Sequence, residues 1–155
     1  MKYIYLLLVS LIVVSSCKEE DIVLEPDPNQ PSFTCTIDGN NFSDHTPTID
    51  VNGSDMMSID LSDETYTLSL RIYNFSTRSA GEVIPFSVPA MGIVNFGQST
   101  YASIFSGPPY DGQIVFTTLD SEKISGTFIF KAQDTDPSMF TNILVTDGVF
   151  ENIPY

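Results

Sequence analysis

Tyr66-Thr67-Leu68-Ser69-Leu70-Arg71-Ile72 alternates apolar and polar side chains without a break. Successive strand residues point to opposite faces of a sheet. Tyr66, Leu68, Leu70 and Ile72 therefore share one face and Thr67, Ser69 and Arg71 the other, which describes a strand with one buried and one wet side. The same period recurs on either side of this stretch. Met57, Ile59 and Leu61 alternate with Ser58 and Asp60, and Phe33, Cys35 and Ile37 alternate with Thr34 and Thr36. No longer window carries a helical stripe, so the chain reads as all β.

Turn chemistry divides these runs. Asp38-Gly39 offers the two left-handed positions of a tight hairpin returning through Asn40 to Phe42, and Asp147-Gly148 predicts a second hairpin between Ile143–Thr146 and Val149–Ile153. A third hairpin is expected from Ile114–Leu119 and Ile124–Ala132 around Asp120-Ser121-Glu122-Lys123, with Ile124, Phe128 and Phe130 inward. Gly126 falls on that same inward face, where a glycine signals a bulge or a close backbone approach. Weaker strands are expected at Glu82–Val88, Ile93–Phe96 and Tyr101–Phe105, separated by Pro and Gly. About nine or ten short strands with turns between them predict an antiparallel β-sandwich, with a closed or half-closed β-barrel as the alternative.

The 155 residues suit one domain, and hydrophobic residues at 42% are enough to form a core. Twenty acidic side chains against six basic ones give a formal charge of −14. Such a surface repels phosphate backbones, so nucleic acid is excluded as a partner.

The N-terminus reads as an address. Met1-Lys2 precedes the apolar run Ile4–Val14, which is too short to span a bilayer and has the form of a secretory signal. Val14-Ser15-Ser16-Cys17 resembles the lipobox of bacterial lipoproteins, which implies cleavage before Cys17 and a diacylglyceryl thioether on its sulfur. The membrane is then met through the lipid anchor alone. Removal of residues 1–16 takes Lys2 and no acid, leaving 5 basic and 20 acidic side chains and a formal charge of −15. Lys18-Glu19-Glu20-Asp21 resembles the lysine-plus-two-acids signal that sends lipoproteins of Bacteroidota-type bacteria to the outer face of the outer membrane. The expected location is therefore the outer membrane, facing the cell surface, with a periplasm-facing anchor as the alternative. Residues 17–32 carry Pro26, Pro28 and Pro31 and read as an acidic tether, and residues 33–155 as a single β domain.

Three blocks also resemble a Bacteroidota family of small lipoproteins of unknown function. They are Phe33-Thr34-Cys35-Thr36-Ile37-Asp38-Gly39 with Phe42, Ile124-Ser125-Gly126-Thr127-Phe128 with Phe130, and Val145-Thr146-Asp147-Gly148 with Phe150. These are strand-and-turn patterns, so the resemblance implies a fold and supplies no catalytic residue.

Residue counts limit the chemistry. With Cys17 lipidated, Cys35 has no thiol to pair with inside the mature chain, and its place between Phe33 and Ile37 predicts a buried filler. His45 is the only histidine, which excludes a multi-histidine zinc site, and no nucleophile elbow or phosphate-gripping loop occurs. Asp38–Asn41, Asp60–Glu64 and Asp134–Asp136 are rich in oxygen ligands but lack the EF-hand spacing, and turn chemistry is their expected use. No catalytic residue, metal or cofactor is expected. Tyr110 and Asp111, in the rigid loop Ser106–Gly112, are the candidate ligand contacts, since a ring face and a carboxylate together suit a sugar. The expectation is a lipid-anchored binding or structural module for a glycan or a protein, not an enzyme. The alternatives are a subunit docked on an envelope assembly and, more weakly, a hydrolase using paired acids.

Overall fold

The hairpin at Asp38-Gly39 forms as its residues predict. In the computed structural model, which describes residues 29–105 and 112–155, Asp38 has φ 47° and Gly39 φ 82°, the two positive values of the tight turn whose twist matches its strands. It joins β1 (Ser32–Ile37) to β2 (Asn40–Asp44). Then follow β3 (Thr48–Asn52), β4 (Met56–Ser62), β5 (Tyr66–Tyr73), β6 (Val83–Pro85), β7 (Ala90–Phe96), β8 (Ser99–Ala102), β9 (Gly112–Leu119), β10 (Lys123–Asp134) and β11 (Asn142–Pro154). Two one-turn 3-10 segments, Phe75–Thr77 and Ser103–Phe105, are the only helical pieces among the described residues.

All strands join one antiparallel sheet in the order β2-β1-β11-β10-β8-β7-β5-β4-β3. β10 is its pivot. One edge of β10 pairs with β11 from Lys123 to Gln133, while the other pairs first with β9 (Ile124 to Phe130) and then, at Gln133 and Asp134, with β8. β6 adds to the far side of β9. The sheet is curled into a half-barrel, so the all-β antiparallel class holds and the half-closed barrel describes its arrangement. Its two end strands, β2 and β3, are consecutive in the chain. Side chains draw this gap together: Asp44 Oδ2 accepts from the Ser62 amide at 3.0 Å, and Asn40 Nδ2 donates to Tyr66 Oη at 3.4 Å.

The concave side is the core. Ile124, Gly126, Phe128, Phe130, Ala132 and Asp134 all turn inward along β10, and Phe33, Cys35 and Ile37 do so along β1. Phenylalanine rings run through this interior in a continuous series. Phe86 meets Phe130 at 4.8 Å between centroids, Phe128 meets Phe33 at 5.0 Å, and Phe116 meets Phe150 at 5.9 Å. Each such ring adds edge or offset contacts to the transfer free energy of a large apolar side chain.

Glycines make room for these rings. Gly126 lies opposite Phe150 and Gly148 opposite Phe128, and a Cβ on either glycine would fall within 2.5 Å of the facing ring. The cross-strand aromatic covers the glycine, and the register shifts at Gly126 in both of its ladders, as its inward position predicts.

Asp147-Gly148 departs from the expectation of a hairpin. β11 runs straight through it, pairing with β1 on one side and β10 on the other. Asp147 has φ 53° and sits where the β1 ladder jumps from Thr34↔Val149 to Thr36↔Thr146, so it is a bulge. Asn152, φ 52°, is left-handed in the same way. The two extra residues reset the alternation, which is why Val145, Gly148, Phe150 and Ile153 all reach the core at uneven spacing. A left-handed residue serves a turn or a bulge equally, and here both flanks have other strands to pair with.

Candidate functional site

The convex face of β3, β4, β5 and β7 carries the wet side of the stretch that decided the fold. Register sets its rows: Thr48, Asp60, Ser69 and Ile93 are successive cross-strand neighbours, and so are Asp50, Ser58, Arg71 and Met91. Between them and the sheet edge at Asp44 lies a groove of about 420 Å³. Hydrogen bonds order much of its lining. Asn95 Nδ2 donates to Thr67 Oγ1 at 2.8 Å while Asn95 Oδ1 accepts from Thr100 Oγ1 at 2.8 Å. Ser58 Oγ donates to Asp60 Oδ2 at 2.8 Å, and Asp44 Oδ1 accepts from the Thr46 amide at 2.7 Å.

Arg71 is the exception. It is half-buried in the groove yet makes no ion pair or hydrogen bond among the described residues. The chain's other described arginine shows what such a group normally does: Arg78 holds Glu82 at 2.7 Å and the Tyr73 carbonyl at 2.9 Å. Met91, opposite Arg71, belongs to a second cavity of about 350 Å³ with Tyr73, Ser87, Val88 and Ile104, and its lining is mostly apolar. Tyr73 lies two residues beyond Arg71 on the same face. The polar groove and the apolar pocket are thus lined at neighbouring strand positions, Arg71 in the first and Met91 opposite it in the second.

A family model described as a domain of unknown function (DUF6252) matches residues 29–154. The chain belongs to that family. No curated protein and no solved structure matches it. The matched span takes in all eleven strands, so core, groove and apolar pocket lie within the domain that defines the family.

Of the residues singled out in the sequence, Cys17, Lys18, Glu19 and Glu20 lie outside the described residues, as do Tyr110 and Asp111. Cys35 is buried at 5% exposure, and its thiol is pushed up to about 12 by burial first and by the charge of Asp63 second, so it stays protonated and inert at neutral pH. His45 is exposed.

The acidic loops use their oxygens on the chain itself. Asp38 Oδ1 accepts from the Leu144 amide, Asp63 Oδ1 from the Thr65 and Tyr66 amides, and Asp136 Oδ1 from Ser138. Asp134, buried, accepts from the Asp136 amide and from Thr141. These bonds hold the Asp136 carboxyl below its usual range, chiefly through the Ser138 hydroxyl, and the Glu122 and Lys123 amides do the same for Asp120. Among the described residues no group of three His, Cys, Asp or Glu is placed to hold a metal ion.

The groove was not singled out in the sequence. Thr67, Ser69 and Arg71 were visible as a wet face, but the strands that flank them follow from long-range register.

Proposed function

We propose that the protein is a lipid-anchored outer-membrane module, displayed at the cell surface, that captures a ligand on the convex face of its half-barrel and carries out no chemistry on it. The anchor rests on Val14-Ser15-Ser16-Cys17, and display on Lys18-Glu19-Glu20. The observation that carries the capture reading is Arg71, half-buried in the groove and making no ion pair or hydrogen bond among the described residues, while the groove's other polar groups are mostly tied down. No buried side-chain nitrogen or oxygen among the described residues lacks a partner, so the Arg71 donors reach solvent and are open to a ligand that supplies acceptors.

One observation favours docking on an envelope protein as the second reading. On the convex face of β6, β9, β10 and β11, Val83, Ile129, Leu144 and Val149 are exposed, between 36% and 56%. An apolar patch of this kind is a common mark of a protein contact.

The anchor is tested by Cys17→Ser. The variant should lose labelling by radioactive fatty acid and keep its signal uncleaved by the lipoprotein peptidase, because Cys17 supplies the sulfur of the thioether. Labelling equal to wild type would remove the lipoprotein reading.

A further inference from the structure

The capture reading leaves the ligand's chemistry open, and the groove narrows it. We infer that the groove and the adjoining apolar pocket bind a neutral oligosaccharide, an inference that rests on the capture reading and assigns its ligand class.

The lining mixes groups that a charged ligand cannot use together. Arg71 only donates, the carboxylate of Asp60 only accepts, and Ser69 does both. Asp60 Oδ2 is occupied by Ser58, while its Oδ1 makes no hydrogen bond among the described residues. A polyanion would gain Arg71 but meet Asp60 and Asp44 in the same groove, on a chain of formal charge −14. A polycation would gain the carboxylates and meet Arg71. Each hydroxyl of a sugar donates and accepts, so a neutral polyol can satisfy all of them with no like-charge contact.

An extended peptide would add to the free edge of β2 or β3 at the margin of the groove and would leave Arg71, on the interior strand β5, unmet. The apolar pocket completes the match. Tyr73 combines an apolar ring with a polar tip, and beside it Met91 offers a flexible apolar surface; together they suit the C–H face of a sugar ring. From Thr67 to Tyr73 the face runs roughly 20 Å, at about 3.3 Å per strand residue, which is long enough for several sugar units.

The test is titration of the proposed mature chain, residues 17–155, with neutral hexasaccharides (β-1,4-glucan, β-1,3-glucan, β-1,4-xylan, α-mannan) and with an oligogalacturonate as the acidic probe, read by backbone amide NMR shifts. At least one neutral probe should move signals of β4, β5 and β7. Arg71→Ala should weaken that binding about tenfold, the loss expected for hydrogen bonds to a charged group, and Tyr73→Ala should weaken it further. Arg71→Lys should restore part of it, and unchanged shifts in β10 and β11 show that each variant is folded.

Three results would overturn the inference: shifts with oligogalacturonate alone, neutral binding that Arg71→Ala leaves intact, or no shift with any probe. Shifts with oligogalacturonate alone would overturn the ligand class and leave capture by this groove standing, whereas no shift with any probe would remove both.

Discussion

Gly126 shows how one missing side chain sets the local shape of the sheet. A Cβ there would lie 2.3 Å from the Val115 carbonyl oxygen and 2.4 Å from the Phe150 ring, and the first of these is backbone that cannot swing aside. Gly126→Ala should therefore destabilise the domain by about 1–3 kcal/mol, the usual cost of overpacking a filled core, seen as a lower urea midpoint at unchanged slope. Gly53, between β3 and β4, faces open space at an ordinary backbone angle, and Gly53→Ala should stay within about 0.5 kcal/mol of wild type. Equal losses at the two sites would mean that Phe150 does not fill the space beside Gly126. The inward position of Gly126 was legible from strict alternation along Ile124, Phe128 and Phe130. That Phe150 fills its space was not, because the pairing of β10 with β11 depends on two bulges that alternation in one strand does not reveal.

Among the elements, the strands with one apolar face were legible and those without one were not. β1, β5, β9 and β10 follow their period closely, since each buries alternate side chains, and β4 does so at Met57, Ile59 and Leu61 while burying Ser58 as well. β3, Thr48–Asn52, alternates Ile49 and Val51 with Thr48, Asp50 and Asn52 over only five residues and buries none of them fully, so its short period stood out little, and it is a strand because β4 offers it an edge to pair with. Asp147-Gly148 failed in a different way. The dipeptide does supply a left-handed residue, but local chemistry cannot say whether the chain reverses there or passes through. The bulge makes its own prediction. Asp147→Gly should keep or raise stability, because glycine takes φ 53° at no steric cost, whereas Asp147→Val should lose about 1–2 kcal/mol, the penalty of a left-handed conformation with a branched Cβ. Chemical denaturation of the two variants checks this, and a Val variant as stable as wild type would remove the left-handed assignment. The candidate groove shares this dependence on register: Arg71 is visible in the sequence, while Asp60, Ser69 and Met91 become its neighbours only once β4, β5 and β7 are aligned.

For the whole molecule the question is where the groove stands relative to the membrane. β1 begins at Ser32, Phe33 pairs with Asp44, and Asp44 holds Ser62 at the margin of the groove, so the chain enters the domain beside the proposed site. Under the proposed anchoring, a groove near that end is useful to a ligand from outside only if the segment before the domain holds it clear of the headgroups. Residues 18–28, with Pro26 and Pro28, would reach roughly 34 Å if extended at about 3.1 Å each. Under the proposed anchoring, which side of the membrane they extend from is a separate matter, and Lys18-Glu19-Glu20 directly follows Cys17 in the sequence, where a sorting machine would read it. Replacing these three residues with Ala should leave acyl labelling and total amount unchanged and remove the domain from digestion by protease added to intact cells. A surface domain meets polysaccharides and other cells, the source that a sugar-binding groove requires, whereas a periplasmic one meets envelope components. If the wild-type domain already resists protease on intact cells but is cut once the outer membrane is opened, surface display is wrong. The exposed valines, isoleucine and leucine on the far face, at Val83, Ile129, Leu144 and Val149, then become the leading site, as a docking surface inside the envelope.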